Sequence, residues 1–178
     1  MKSNGNQKDC PVDDAVPSWD NYFLGQALLL SQRSPDIQTK CGCVIVNKNN
    51  QVIGQGYNGF PRGLKDDELP NTRPDKYPWM IHAEVNAILN CCSKLVNAKA
   101  YITTRPCFNC TLLMWQAGVK HIIFASKWST PKMIDEDGDY WKLMSKFLLM
   151  SDMSLIAKAE VDLSFLENLS STGGNKEK

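Results

Sequence analysis

From Ala98 onward the sequence alternates between two periods. "AKAYITTR" is a run of branched and alternating residues, "CFNCTLLMWQAG" is spaced like a helix, and "VKHIIFAS" is strand-like again. "DYWKLMSKFLLMSDM" is amphipathic at a helical period, and "SLIAKAEVDL" closes the series. Strands joined by helices return to one sheet through crossovers of a single hand. Such a chain builds a sheet with parallel members and covers both faces with helices. Gly118 suits the position just past the second segment, where a left-handed residue closes a helix.

Upstream, "KCGCVIVNKNNQVIGQGYNG" reads as a hairpin: "CGCVIV", a turn at "NKNN", then "QVIGQGYN". Ser18 suits an N-cap for the helix "WDNYFLGQALLLSQRS", with Asp20 in its first turn. "HAEVNAILNCCSKL" reads as another helix. Phe60 to Pro78 is rich in Pro, Gly, Asp and Lys and forms a long loop, of the kind that is functional or mobile in a compact domain. The sum is a three-layer α/β/α fold with a mixed five-stranded central sheet. Residues 1–16 are expected as a flexible arm, 17–165 as the domain and 166–178 as a disordered tail.

Composition narrows the partners. The chain has 178 residues, 43% of them hydrophobic, and a net charge of +1. It lacks the basic excess of a nucleic-acid binder. No apolar run is long enough to span a membrane, and the start has no apolar segment of a secretory signal, so a cytoplasmic location is expected. The seven cysteines are odd in number, with one Cys-x-x-Cys pair and one adjacent pair. That suits a reducing compartment in which some cysteines bind metal and others pack as small hydrophobes.

Chemistry concentrates in two short stretches, "MIHAEVNAIL" and "TTRPCFNC". Singly, each residue has a bland explanation: a core histidine, a first-turn glutamate, a chance cysteine pair. Together, His82, Cys107 and Cys110 supply one nitrogen and two sulfurs at predicted helix starts, where the helix dipole favours thiolate. Three such ligands leave one of zinc's four positions for water, as in catalytic sites. Glu84 lies two residues past His82, close enough to exchange protons with that water without ligating the metal. His121 is the only other histidine and lies in a predicted strand.

The pattern His82-Ala83-Glu84 followed by Pro106-Cys107-Phe108-Asn109-Cys110 resembles the signature of zinc nucleobase deaminases. The chain is similar to the cytidine and deoxycytidylate deaminase superfamily, and to its deoxycytidylate (dCMP) branch through "GYNGFPRG", "DELP", "KYPWMIHAEVNAI" and "QAGVKHIIFAS". The resemblance runs from about Trp19 to Trp128. It implies a cytidine-deaminase-like fold and zinc-dependent hydrolysis of dCMP to dUMP and ammonia, supplying thymidylate synthesis. One catalytic zinc per subunit would sit on His82, Cys107 and Cys110, with Glu84 as catalytic proton carrier. Asn58 would lie near the sugar, the backbone of Thr103 and Arg105 near the base, and Ala83 beside the pyrimidine.

For the phosphate, the candidates are Arg33, Lys40, Arg105 and Lys127, with Gln38 adding a neutral hydrogen bond. Each could equally be a solvated surface group. Trp128 could line the pocket, or serve an interface or the core. The family resemblance further implies a homo-hexamer or other homo-oligomer, activation by dCTP and inhibition by dTTP. The effector contacts would be Tyr57, Asn58 and Gly59, with Mg2+ accompanying the effector nucleotide; a tight turn explains Gly59 as well. Residues 60–81 contain no Cys or His, so a second, structural zinc is not expected there. Trp115, Met114, Phe124 and Trp141 could serve subunit contacts or the core. The rival readings are a deaminase of deoxycytidine, dCTP, a modified dCMP or a base in tRNA, the last opposed by the near-neutral charge, and a non-catalytic zinc-binding regulator. Retention of Glu84 speaks against the latter.

Overall fold

The computed structural model describes residues 16–129 and 138–167. Nearly all of the expected arm and most of the expected tail lie outside those residues. The order of elements follows the sequence. Helix α1 (Trp19–Ser31) starts where the Ser18 hydroxyl accepts the Asn21 N–H at 3.3 Å. Strands β1 (Gly42–Val46) and β2 (Val52–Tyr57) form the hairpin, turned through Asn50 at φ 59°, a conformation asparagine tolerates. Then come α2 (Ala83–Leu89), β3 (Ala98–Ile102), α3 (Phe108–Ala117), β4 (Val119–Ala125), α4 (Gly138–Met150), β5 (Ser154–Lys158) and a short α5 (Ser164–Glu167).

The sheet has five strands in the order β2-β1-β3-β4-β5. Strand β1 runs antiparallel to both β2 and β3, while β3, β4 and β5 are parallel. The expected mixed sheet with helices on both faces is the one observed. All five residues of β1 are buried, because side chains alternate between two covered faces. Cys43 and Ile45 join one apolar cluster with Ala83, Ala87 and Met114. Val44 and Val46 join the other with Phe23, Leu24 and Ala27 of α1. Each large side chain so buried contributes about 1.5–3 kcal/mol relative to exposure.

Two glycines set where the site helices lie. A Cβ on Gly56 of β2 would stand 2.3 Å from the Ala87 nitrogen and 2.5 Å from the Ala83 oxygen, so only glycine lets α2 lie this close to the strand. Gly118 closes α3 at φ 107°, and a Cβ there would also meet the Leu95 carbonyl oxygen at 2.7 Å.

Some elements are shorter than their sequence pattern. The helix expected through Leu95 ends at Leu89. Its last amides tighten onto Asn86 and Ile88, and the Cys92 N–H then bonds the Ile53 carbonyl of β2. The strand pattern of "SLIAKAEVDL" stops at Lys158, where pairing with β4 runs out.

Candidate active site

Both motifs occupy helix starts that face each other. His82 is the residue before α2 and Cys107 the residue before α3, each extended, at ψ 153° and 161°. The Cys107 sulfur caps its own helix by accepting the Cys110 N–H at 3.4 Å. The His82 Nδ1 lies 3.6 Å from Cys107 Sγ and 3.4 Å from Cys110 Sγ. A tetrahedral zinc with bonds of about 2.3 Å to sulfur and 2.0 Å to nitrogen requires N···S separations of about 3.5 Å. The donor set and its spacing thus fit zinc. Across all the potential ligand atoms the spread is within 4.8 Å.

The donor groups are close enough to share a proton. The hydrogen bond from the Cys110 thiol, seconded by His82, holds Cys107 well below the ordinary thiol value. Cys110 is pushed up by sharing its proton with Cys107, and then by burial. His82 is raised, chiefly by its bond to Cys107. Glu84 is 5% exposed, and burial lifts its carboxyl above the ordinary value. A buried carboxyl so lifted can both hold and release a proton.

His82 and Cys107 of the cluster, with Glu84, form the floor of a cavity of about 540 Å³, and Cys110 lies buried behind them. Ala83, Thr103, Thr104 and Cys41 surround the floor, and Trp128 stands at the side. Burial pushes the Cys41 thiol up to about 11. The rim carries Gln38, Lys40 and Arg105 together with Arg73 and Tyr77, and the buried Lys76 completes the lining. The Arg105 guanidinium lies over the Tyr140 ring, 3.9 Å from its centroid, while the Tyr140 hydroxyl donates to the Pro106 carbonyl at 3.1 Å. Helix α4 thereby braces the turn that leads into Cys107.

Thr103 and Asn58 spend their polar groups on holding the wall. The Thr103 N–H bonds the Gly42 carbonyl, and its hydroxyl accepts the Gly42 N–H at 3.0 Å. Asn58 donates from Nδ2 to Thr39 O at 2.8 Å and Asp36 Oδ2 at 3.3 Å, and accepts the Cys41 N–H at 2.7 Å. Both Nδ2 hydrogens are committed, and only Oδ1 retains acceptor capacity toward the cavity.

Two sequence candidates lie elsewhere. Arg33 follows α1 and lines a second cavity, of about 360 Å³, with Tyr57, Gly59 and Arg62. Lys127 sits in a single turn after β4, where its ammonium donates to Val161 O at 3.1 Å. It does not line the cavity with the metal cluster. The Tyr57–Asn58–Gly59 trio divides, Asn58 facing the first cavity and its neighbours the second. Gly59 pairs with Ile81 by backbone bonds at a φ that is not positive, so neither tight-turn strain nor a missing side chain explains it. Of the apolar candidates, Met114 and Phe124 are core, Trp115 packs edge-on against Phe147, and Trp141 is half-exposed.

Sequence reasoning missed Asp36, Arg73 and Lys76. They lie in irregular segments without periodicity, and only "KYPWM" carried a signal, as part of a quoted resemblance.

An α/β/α domain that aims an imidazole and two thiols at one point, beside a buried carboxyl, has the build of a metal-dependent hydrolase. A family model described as "Cytidine and deoxycytidylate deaminase zinc-binding region" matches residues 17–126. The chain belongs to this deaminase family, hydrolases acting on carbon–nitrogen bonds. It is 41% identical over 128 residues to the deoxycytidylate deaminase of Homo sapiens, covering 68% of this chain and 72% of that one. With the Mus musculus deoxycytidylate deaminase the identity is 42% over 124 residues, covering 66% and 70%. The solved dCMP deaminase from the cyanophage S-TIM5, in complex with dCMP and dUMP, shares the fold. It has a TM-score of 0.58 at 23% identity, over 77% of this chain and 94% of that one.

Proposed function

We propose that the protein is a zinc-dependent dCMP deaminase that converts dCMP and water to dUMP and ammonia. The observation that carries this reading is the buried Glu84 carboxyl beside the His82–Cys107–Cys110 cluster, at the floor of a cavity whose rim holds Lys40, Arg73 and Arg105. His82, Cys107 and Cys110 would hold zinc, which would supply Lewis-acid activation of a water beside Glu84. Glu84 takes one proton from that water as its oxygen bonds to C4, and delivers the proton to N3 of the cytosine ring. It then moves the remaining proton from the new C4 hydroxyl to the amino nitrogen, whose bond to C4 breaks as ammonia leaves and the C4 carbonyl forms. Ala83 packs beside the pyrimidine, and the wall built on Thr103 and Arg105 holds its edge. The retained Oδ1 lone pair of Asn58 accepts from the sugar hydroxyl. Lys40 and Arg73 offer cations for the 5′-phosphate, with Arg105 steadied by Tyr140 as a third.

The same reading includes a cytoplasmic enzyme, a homo-hexamer or another homo-oligomer, feeding thymidylate synthesis. It also includes dCTP activation and dTTP inhibition, with Mg2+ accompanying the effector nucleotide, at the second cavity beside Tyr57 and Gly59. No helix among the described residues is long and apolar enough to cross a membrane.

The test is ammonia release by the purified zinc-loaded protein with dCMP, deoxycytidine, dCTP and a 5-substituted dCMP, each with and without added dCTP effector. Preference for dCMP is expected. Equal turnover of deoxycytidine removes the phosphate subsite from the reading, and no turnover of any substrate removes the catalytic reading.

A further inference from the structure

Two segments far apart in sequence, residues 35–41 and 71–80, contribute much of the cavity lining beyond the metal cluster. Hydrogen bonds join them. Asn71 Nδ2 donates to Pro35 O at 2.8 Å, the Arg73 N–H to Gln38 Oε1 at 3.1 Å, and Arg73 Nη2 to Thr39 Oγ1 at 2.7 Å. These bonds are exposed or part-buried, so water competes for them. One link differs. Lys76 Nζ meets Asp36 Oδ1 at 2.5 Å, with the side chains 2% and 3% exposed.

Asp36 is the hub of a wider network. Its Oδ1 also accepts the Gln38 N–H at 2.8 Å and the Thr39 N–H at 3.0 Å, while Oδ2 accepts from Asn58. Asn58 in turn grips Thr39 and Cys41. One lysine thus reaches, through one carboxylate, the whole stretch that presents Gln38, Lys40 and Cys41 to the cavity.

A buried ion pair is poor evidence for stabilisation, since desolvating two charges offsets most of their attraction. Nor does this pair belong to either apolar cluster that holds the sheet and helices together. What it fixes is how two lining segments sit against each other. Segment 71–80 brings Arg73, Tyr77 and Met80 to the cavity, and segment 35–41 brings Gln38, Thr39 and Lys40. Downstream of Lys76, the paired backbone bonds between Gly59 and Ile81 (3.0 and 2.8 Å) insulate His82 and Glu84 from movement of the loop.

We infer that Lys76 and Asp36 are a positioning pair for nucleotide binding: they lock two neighbouring lining segments together so that Gln38, Lys40, Arg73 and Tyr77 are presented to the nucleotide as one surface, without touching the reacting atoms. The inference rests on the proposed dCMP deaminase reading for its kinetic readout. Removing the pair loosens that surface and leaves the metal cluster and Glu84 in place, so affinity falls while chemistry at saturation does not.

The test uses the zinc-loaded 178-residue protein. Lys76→Met leaves a buried carboxylate without its partner and is expected to fold poorly, so the informative variant is the neutral pair Asp36→Asn/Lys76→Met. Zinc content and thermal unfolding are measured beside dCMP kinetics. The expected result is retained zinc, a rise in KM of roughly tenfold or more, as for the loss of about 1.4 kcal/mol of binding, and a kcat within about threefold of the parent. Unchanged KM overturns the inference. A kcat that falls in step with lost zinc and a lowered Tm also overturns it, by making the pair merely structural. If the parent itself does not turn over dCMP, the functional reading fails and amide hydrogen exchange decides the pair. Faster exchange confined to 35–41 and 71–80 in the double variant upholds the positioning role, and unchanged or chain-wide exchange overturns it.

Discussion

The floor and the rim of the cavity are held in place by different physics. The floor sits on regular structure: His82 and Cys107 precede helices whose inner faces, through Ala83, Ala87 and Met114, are fully buried against the sheet. The rim at residues 35–41 and 71–80 has almost no regular structure and depends on side-chain hydrogen bonds reaching across tens of residues. Close packing makes the floor rigid, as a metal site and a proton carrier require. The rim is held instead by one buried ion pair and by polar links that are part-buried or exposed, for which water competes.

The sharpest way to break the floor is Cys110→Ala. Loss of a ligand should bring bound zinc and dCMP turnover to background, read by metal analysis and ammonia release. Glu84→Gln separates ligand from proton carrier: zinc should stay, while kcat falls by about 10²–10⁴, the usual worth of a general acid–base group. A parent-like kcat with zinc retained would sink that role. Met114→Ala attacks the support of the floor instead. Met114 is fully buried in the cluster that holds α2 and α3, so unfolding stability should drop by about 2–5 kcal/mol in a urea titration.

The rim responds to acid. Burial raises the Asp36 carboxyl, but the Lys76 ammonium and the Gln38 and Thr39 amides outweigh it and leave it below its ordinary value of 3.8. A depressed folded value means that the contribution to stability is complete above 3.8 and is lost as pH falls through the lower, folded value. The parent should therefore lose urea resistance below that point faster than Asp36→Asn/Lys76→Met, with metal loss common to both. Parallel curves would show that the pair carries no such linkage. The smallest effect is expected away from both regions. Lys120 lies 3.6 Å over the Trp115 ring and bridges the exposed Asp152, so Lys120→Ala should cost about 0.5–1 kcal/mol and leave the kinetics unchanged.

Much of the floor was legible in the sequence because local rules place it. The motif residues stand beside helical patterns, and Gly118 and Ser18 mark helix ends by their own backbone chemistry. Helix α2 was read too long, since nothing local shows that the Cys92 amide leaves it for Ile53. The rim was far less legible. Arg33 and Lys127 carry the same charge as Lys40, yet one faces a different cavity and the other a backbone carbonyl. Charge alone does not say where a side chain points.

The sequence by itself determined the alternation that forces a mixed, doubly covered sheet, and the one-nitrogen, two-sulfur set with its neighbouring carboxyl. Both follow from short-range periodicity and from the ligand chemistry of a few side chains. Packing in three dimensions alone brings Asp36 and Lys76, forty residues apart, together with side chains 3% and 2% exposed, and turns both Asn58 amide hydrogens to the wall. Those outcomes depend on where whole elements pack, because a buried polar group takes its partner from whatever the fold brings within about 3 Å.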